Sequence, residues 1–290
     1  MNAYKHEIAV ACMFRNGSFY LREFIEYYKL IGITKFYLGD NMSTDASMEI
    51  LRPYILSGDV EIEQIEDMIG DKGNDYFEQK IHVPFYARCI AKSIGSVKWL
   101  ACIDIDEFIV PVQKFTLLEA LIPYEAYAGI MLYWVNYGSS GLQKVPVDRL
   151  FLEVLTKRMD LTKGDVLGKL IIRPERVHGF GNDPHVVYSI MPYEVVSENF
   201  VTNAPVYLSI HPPVDILRIN HYNVGDISHF YREKQPFYTK YIALMHGLSS
   251  ERIDQLLNRI FAYNDVTDFI MERYIPQLRQ KILPTQNIEI

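Results

Sequence analysis

Residues 99–110 read WLACIDIDEFIV, and this stretch decides the fold. An apolar run of this length and composition predicts a buried strand. Asp104 follows the run and Asp106 comes two positions later. Carboxylates placed there would lie at the carboxyl edge of a sheet, where open α/β folds bind their ligands. The spacing lets both side chains reach one hard divalent cation, of the kind that proteins hold with one or two carboxylates plus substrate phosphates. Glu107 is open to two interpretations, a residue supporting the site or part of the turn.

The rest of the chain alternates between strand and helix patterns. Apolar runs predict strands at residues 8–14, 35–38, 60–65, 129–137 and 216–222. Helical spacing predicts helices at 20–31, 76–93 and onward from 228, and the polar residues 67–75 predict a loop. This alternation predicts an α/β fold with a mixed, mostly parallel sheet flanked by helices. We expect a first domain at residues 1–235 and a helical C-terminal extension at 236–290 packed on it.

Composition narrows the class of protein. The chain has 290 residues, 49% of them hydrophobic, so that it can bury a sizeable core. Its net charge of -7 argues against a nucleic-acid partner. Three cysteines in apolar surroundings indicate buried thiols in a reducing compartment. No signal peptide and no apolar run of about 18 residues is present, so we expect a cytoplasmic protein. Its 21 Tyr and 15 Phe leave a peripheral contact with the inner membrane open, and the oligomeric state is not indicated.

Several ordered blocks resemble glycosyltransferase family 92, a relative of family 2 with the GT-A fold. The opening CMFRNGSFYLREFIEYYKLIGITKFYLGDNMSTD and the Asp-x-Asp segment WLACIDIDEF carry the resemblance, with later blocks WVNYGSSG, KLIIRPERV and INHY. Together the blocks lie within residues 8–235 in the order of the family. One departure is Gly17, which stands where the family usually has Glu.

The resemblance implies a transferase that uses a nucleotide-sugar donor, with UDP-sugar as the expected one. Mn²⁺ or Mg²⁺ would bridge the Asp-x-Asp pair and the diphosphate, with Asp106 as the direct ligand. Asp104 would be a ligand or would contact the ribose or a metal-bound water. His221 is a candidate third ligand, since a neutral imidazole suits Mn²⁺ better than Mg²⁺. The family also implies inversion at the sugar and a glycan or lipid-linked acceptor, in surface polysaccharide or lipopolysaccharide synthesis.

The first two strands end in polar residues at the edge where GT-A enzymes hold the nucleoside. The candidates for nucleotide contacts are Arg15, Asn16, Asp40, Asn41 and Asp45. Other interpretations stay open, because Asp40 fits a turn before a helix and Asp45 fits a helix cap. Arg15 and Asn16 fit a solvated loop equally well.

Basic residues form two further candidate groups. Lys169, Arg173 and Arg176 could pair with a diphosphate or an anionic acceptor, but we expect a solvated strand face for at least two of them. Arg232 and Lys234 could close over the diphosphate as part of a lid.

An acceptor hydroxyl must lose a proton as it attacks, which requires a general base. Asp183 is the predicted base, because its loop reads Gly-Phe-Gly-Asn-Asp-Pro-His, and Glu175 and Asp148 are rivals. His185 in the same loop could bind phosphate or acceptor. The glycines at 138–141 predict a close approach of backbone to the substrate, or a plain tight turn.

Two other classes of function compete with a transferase. An Asp-x-Asp pair after a strand also serves phosphotransferases and phosphatases, but those place it after the first strand rather than about a hundred residues into the chain. A non-catalytic protein that binds sugar or nucleotide on the same scaffold is the other alternative. Gly17 keeps this alternative open, whereas the intact Asp-x-Asp pair and His221 disfavour it.

Overall fold

The computed structural model describes residues 4–65, 81–163, 166–208, 211–239, 243 and 247–283. The loop predicted at 67–75 and the first part of the helix predicted at 76–93 lie outside the described residues. The strands are β1 His6–Phe14, β2 Lys35–Asp40, β3 Val60–Gln64, β4 Val97–Cys102, β5 Glu107–Pro111, β6 Gly129–Asn136, β7 Lys157–Arg158, β8 Val166–Ile172, β9 Val177–Phe180, β10 Val187–Ser189, β11 Val195–Ser197, β12 Tyr207–Leu208, β13 Leu217–His221 and β14 Val266–Thr267. The helices are α1 Leu21–Leu30, α2 Ser47–Leu56, α3 Val83–Ser93, α4 Leu117–Leu121, α5 Phe151–Val154, α6 Ile227–His229, α7 Gln235–Phe237, α8 Ser250–Phe261 and α9 Ile275–Ile282.

One mixed sheet organises the chain, with strand order β3-β2-β1-β4-β8-β6-β13-β5. Strands β1 to β4 run parallel to one another, whereas β8 is antiparallel to both β4 and β6. Strand β13 runs parallel to β6 and antiparallel to β5. The predicted α/β fold with a mixed sheet flanked by helices is therefore confirmed.

The central strands are buried on both faces, which explains their nearly continuous apolar sequence. Residues 99–102 of β4 are fully buried, as the WLAC run predicts. Helix α1 covers this part of the sheet with an aromatic face. Its Tyr27 and Tyr28 hydroxyls donate to the backbone oxygens of Ile109 and Glu107, at 2.8 Å and 2.9 Å. These bonds attach α1 to β5 and fix the strand that follows the Asp-x-Asp pair.

Local signals set several element boundaries. Thr116 and Glu119 form the predicted capping box at the start of α4. Pro84 lies in the first turn of α3, where its missing N–H costs nothing, so it begins the helix rather than bending it. The three cysteines are buried and free, as predicted.

The C-terminal residues share the main core. Tyr274 and Leu278 are fully buried within it, and the Tyr274 hydroxyl donates to the Phe115 carbonyl at 3.1 Å. Within the described residues, no helix is both long and apolar enough to cross a membrane. The boundary at residue 235 stays a prediction.

Candidate functional site

The Asp-x-Asp pair lies in the turn between β4 and β5, at the carboxyl end of β4. The turn closes with a hydrogen bond from the Glu107 N–H to the Asp104 carbonyl at 3.1 Å. Strand β13 ends beside it, because His221 pairs in register with Glu107 on one side and with Asn136 on the other. The structure thus brings Asp104, Asp106 and the end of β13 together at one sheet edge.

Asp104 is held by a buried lysine. The Lys169 ammonium, on β8, lies 2.9 Å from a carboxylate oxygen of Asp104, and the Lys169 side chain is 1% exposed. The other oxygen lies 3.8 Å from the His82 Nε2 atom. Burial favours the neutral acid, but Lys169 first and His82 second favour the carboxylate, so the pKa of Asp104 lies below its usual value. Asp104 is therefore ionised at neutral pH.

Asp106 is shared between a lysine and a histidine. The Lys234 ammonium contacts its Oδ2 atom at 2.5 Å, and the His221 Nε2 atom lies 3.6 Å from its Oδ1 atom. Burial acts against the charge. Lys234 first and His221 second outweigh burial and hold the pKa of Asp106 well below its usual range.

The geometry around His221 leaves room for a cation. Its Nδ1 atom lies 2.9 Å from the Asn136 Oδ1 atom, while the Asn136 amide nitrogen faces the Met159 sulfur at 3.2 Å. When Nδ1 alone carries a proton, Nε2 turns a lone pair toward a carboxylate oxygen of Asp106, and a cation between the two atoms would relieve the repulsion of the facing lone pairs. A fixed histidine tautomer is typical of metal ligands.

Glu107 shapes the turn rather than facing the cation. It is fully buried, and its Oε2 atom accepts the Asp104 N–H at 2.8 Å. Burial, followed by the negative charge of Asp104, raises the pKa of Glu107 well above its usual value. Glu107 therefore holds the backbone of Asp104 from within the turn.

Protein ligands alone do not complete a metal site. Among the residues that the structure describes, no three His, Cys, Asp or Glu side chains are grouped so that they could hold a metal. Asp106 and His221 are the pair that fits an ion, with Asp104 nearby but occupied by Lys169. The remaining coordination would come from water and substrate phosphates, as it commonly does for hard divalent cations.

The candidates for nucleotide contacts build the loops at the ends of β1 and β2. The Asp40 carboxylate accepts the Ser43 N–H at 2.9 Å, which is the turn interpretation. Asp45 accepts the N–H groups of Ser18 and Ser47, at 2.9 Å and 3.0 Å, so that it joins the two loops and forms a turn just before α2, whose N-cap residue is Ala46. Burial acts against the charge of Asp45, but hydrogen bonds from Ser47 and Ser18 outweigh it and lower the pKa of Asp45. Both carboxylates therefore shape the edge of the sheet.

Asn16, Asn41 and Arg15 complete this edge. The Asn16 side chain accepts the Thr44 N–H at 2.9 Å and donates to Glu233 at 3.3 Å, which ties the first loop to the segment after β13. The Asn41 amide donates to the Ile65 carbonyl at 3.4 Å. Arg15 is exposed. The Asn16 side chain therefore links the first loop to two other segments and is not simply solvated.

Gly17 lies in a tightly packed part of the first loop. A Cβ atom there would approach the Phe14 ring at 3.1 Å and the Leu21 Cγ atom at 3.3 Å. The loop in this chain is thus packed around a glycine, which accounts for the departure from the family pattern.

The predicted base lies in the loop between β9 and β10. Asp183 is exposed, and its carboxylate accepts the N–H of His185 at 2.7 Å. The His185 ring in turn lies 2.6 Å from the Gly168 carbonyl and 5.9 Å from the Trp134 ring, which packs 4.3 Å from His221. Burial, then Lys169, lowers the pKa of His185 to about 4, so the ring is neutral. This chain of contacts brings the Asp183 loop beside the Asp-x-Asp pair.

The two rivals for the base lie differently. Glu175 accepts hydrogen bonds from the Tyr4 hydroxyl and the Gly95 N–H, so it lies where β4 begins, at the opposite end of that strand from Asp104. This position excludes it from chemistry at the Asp-x-Asp edge. Asp148 is exposed in the loop that follows β6.

One sequence-based expectation is wrong. Lys169 and Arg173 are buried, at 1% and 8% exposed, so they do not form a solvated face. The cause is pairing across the sheet, to Asp104 for Lys169 and to the Trp99 ring at 5.0 Å for Arg173. Gly138 packs closely against Tyr263, because a Cβ atom there would lie 2.3 Å from the Tyr263 carbonyl oxygen, and whether the turn at 138–141 approaches substrate stays a prediction.

Sequence reasoning also missed residues of the site. Asn136 orients His221, and its only sequence signal is its position inside the block WVNYGSSG. His229 follows β13 in a helical turn and is buried near Asp106, but a lone histidine in a helical pattern carries no functional signal.

Known proteins that are similar to this chain share a low sequence identity with it. A glycosyltransferase family 92 protein of Ricinus communis is 26% identical over 182 residues, covering 60% of this chain and 30% of that protein. Another, of Oryza sativa subsp. japonica, is 28% identical over 144 residues, covering 49% and 23%. The chain thus spans less than a third of the length of either relative.

Among solved structures, TarS of S. aureus is 13% identical with a TM-score of 0.39, covering 88% of this chain and 70% of that one. Glucosyl-3-phosphoglycerate synthase of Mycobacterium tuberculosis is 14% identical with a TM-score of 0.31, covering 59% and 57%. Both similarities are low.

The family model gives the broadest match. The model of glycosyltransferase family 92 matches residues 4–240, a range that contains the Asp-x-Asp pair, His221 and Lys234. The GT-A fold that the resemblance predicts comes with this family, and the mixed sheet agrees with it. Because the match covers most of the 290 residues, the chain belongs to glycosyltransferase family 92.

Proposed function

We propose that this protein transfers a sugar from a nucleotide-diphosphate donor, a UDP-sugar, to a hydroxyl group of a glycan or lipid-linked acceptor. Family membership supports the transferase class. The observation that carries the proposal is the gap between Asp106 and His221, where a carboxylate oxygen and an imidazole lone pair face each other at 3.6 Å. Inversion at the sugar carbon and a place in surface polysaccharide or lipopolysaccharide synthesis, at the cytoplasmic face of the inner membrane, belong to the same proposal.

Asp106 and His221 would hold Mn²⁺ or Mg²⁺ directly, and Asp104 would bind it or a water on it. When bound, such a cation neutralises the charge that builds on the leaving diphosphate. The imidazole ligand favours Mn²⁺ over Mg²⁺.

The chain supplies further positive charge at this edge. Lys234 contacts Asp106 from the segment after β13, and Lys169 contacts Asp104 from β8. In the free protein each carboxylate is thus neutralised by an ammonium group. We propose that Lys234 turns to the diphosphate when the donor binds, because its side chain is 19% exposed and its ammonium group already lies at the Asp106 edge.

The loops that end β1 and β2 would bind the nucleoside. Asp40 and Asp45 hold the loop backbone and would contact ribose or base, with Arg15, Asn16 and Asn41 beside them. Asp183 would take the proton of the acceptor hydroxyl. Its exposure suits a group that must meet an incoming acceptor, and its contact with the His185 backbone fixes its side chain.

A donor screen tests the proposal. The protein is mixed with a panel of nucleotide sugars with and without Mn²⁺, and thermal stabilisation and donor hydrolysis are measured. We expect stabilisation by a UDP-sugar that depends on Mn²⁺, and its loss in Asp106→Asn, which keeps the side-chain shape but removes the charge. Asp254→Asn, at an exposed carboxylate of helix α8, is the control and should behave as the parent protein. Full activity in Asp106→Asn, or phosphate release from simple monoesters, would contradict the proposal.

A further inference from the structure

His229 is a buried histidine whose ring makes no hydrogen bond. It is 2% exposed, and neither ring nitrogen has a partner among the described residues. Buried polar groups in folded proteins are almost always paired, so an unpaired one calls for an explanation such as a missing ligand. The ring offers one N–H donor and one lone pair, and both go unused in the free protein.

The ring is nevertheless held in one place. It stacks on Phe19 at 4.4 Å between ring centroids and meets the edge of Tyr20 at 5.1 Å. On its other side, a Cβ atom at Gly225 would lie 2.7 Å from the His229 Cδ2 atom, so only glycine fits. The backbone N–H of His229 donates to Asp226 at 2.7 Å. Packing and backbone bonds therefore fix an imidazole that contributes no polar contact of its own.

The charges around the ring are those of the proposed donor site. Lys234 and Arg232 act on it from its own segment, and Asp106 and Asp45 act on it from the two strand ends. The pKa of His229 is lowered to about 3 by burial and then by the two cations. The ring is therefore neutral and always keeps one N–H to donate.

We propose that His229 donates its ring N–H to a phosphate oxygen of the nucleotide-sugar donor and so positions the diphosphate between Lys234 and the Asp106 edge. This inference rests on the proposed function, because it deepens the description of the same donor site. A phosphate oxygen fits better than a sugar hydroxyl, since Lys234 and Arg232, the cations that act on the ring, favour an anion there.

The test compares UDP binding by the parent protein, His229→Phe and His229→Gln, measured by calorimetry with Mn²⁺ present. Phe keeps an aromatic ring against Phe19 and removes the N–H, whereas Gln restores an N–H donor. We expect the UDP dissociation constant to rise about tenfold or more in His229→Phe, as for a lost hydrogen bond to a charged group, and to recover in part in His229→Gln. The melting temperature of His229→Phe without ligand should not fall, because no polar contact is lost in the free protein.

The outcomes separate the inference from the function on which it rests. If the parent protein binds UDP and His229→Phe binds it equally well, His229 has no part in donor binding. If the parent protein binds no UDP, the proposed function fails and the inference fails with it. If His229→Phe does not fold, the test uses nuclear magnetic resonance of the parent protein labelled with ¹⁵N-histidine. In this sample a slowly exchanging ring N–H signal of His229 should emerge on addition of UDP. An unchanged His229 signal would overturn the inference.

Discussion

The ammonium group of Lys234 lies 2.5 Å from a carboxylate oxygen of Asp106, although 128 positions separate the two residues in the chain. The second oxygen of the same carboxylate faces His221 at 3.6 Å. The Asp106 carboxylate thus contacts the Lys234 ammonium group with one oxygen and faces the proposed cation position with the other. The two positive charges would repel each other across a single carboxylate, because the site is buried and poorly screened.

Replacing Lys234 with Met should therefore separate metal binding from donor binding. Met keeps an apolar stem of similar length and removes the charge. We expect the Mn²⁺ affinity of the donor-free protein to rise about tenfold, the order of effect of one nearby like charge. UDP should bind more weakly in the same variant. Mn²⁺ titration followed by electron paramagnetic resonance measures the first effect, and calorimetry measures the second.

Lys163→Met is the matched control. Lys163 forms an exposed ion pair with Asp265 at 2.6 Å, so its loss should change neither constant. Equal Mn²⁺ affinities in the parent protein and Lys234→Met would show that the two cations do not share Asp106.

Asn136 should matter for the metal although it is not a ligand. Its side-chain oxygen fixes the proton on the Nδ1 atom of His221. Asn136→Leu removes this partner at similar volume, so that the ring loses its tautomer and orientation. Changes of this kind typically weaken metal affinity about 10- to 100-fold. Met159→Leu, which alters only the contact on the other side of the Asn136 amide, should keep the Mn²⁺ dissociation constant of the parent protein. If Asn136→Leu binds Mn²⁺ with the dissociation constant of the parent protein, a cation position between Asp106 and His221 loses its support.

Glu23 gives the fold a pH dependence of its own. It is buried in α1 and accepts the N–H groups of Phe151 and Leu152 at 2.8 Å and 3.0 Å. Burial raises the pKa of Glu23 from 4.5 to about 8, although these two hydrogen bonds oppose the rise. Between pH 4.5 and about pH 8, Glu23 is protonated in the folded chain and deprotonated in the unfolded chain. The stability that this proton provides is therefore complete below pH 4.5 and is lost as the pH rises to 8.

Glu23→Gln cannot titrate and isolates this effect. The difference in free energy of unfolding between the parent protein and Glu23→Gln should shrink as the pH rises from 5 to 8, by up to about 1.4 kcal/mol per pH unit. Urea unfolding at several pH values measures it. A difference that stays constant over this range would mean that Glu23 is ionised in the folded protein.

Features set by nearby residues could be predicted from the sequence, and features set by distant pairing could not. The strand before Asp104 and the capping box at Thr116 depend on residues within a few positions, so periodicity and spacing identify them. The pattern around Lys169 predicts a solvated face because its partner, Asp104, lies in a turn far away in the sequence. The same holds for Gly138, whose constraint is the carbonyl oxygen of Tyr263. Contacts between distant residues leave no local pattern in the sequence. The burial of Lys169 and its pairing with Asp104 therefore could not be predicted from it.

Asp183 should be needed for sugar transfer and not for donor binding. Asp183→Asn keeps the hydrogen bond to the His185 N–H through its side-chain oxygen but cannot accept a proton from the acceptor. We expect the turnover number to fall about 10²- to 10⁴-fold, the usual contribution of a general base, while the UDP dissociation constant stays unchanged. Transfer rates with saturating donor, measured beside UDP calorimetry, separate the two quantities. Glu175→Gln is the matched control, because Glu175 lies at the opposite end of β4 and should leave turnover intact. If Asp183→Asn transfers sugar at the parent rate, Asp183 is not the base.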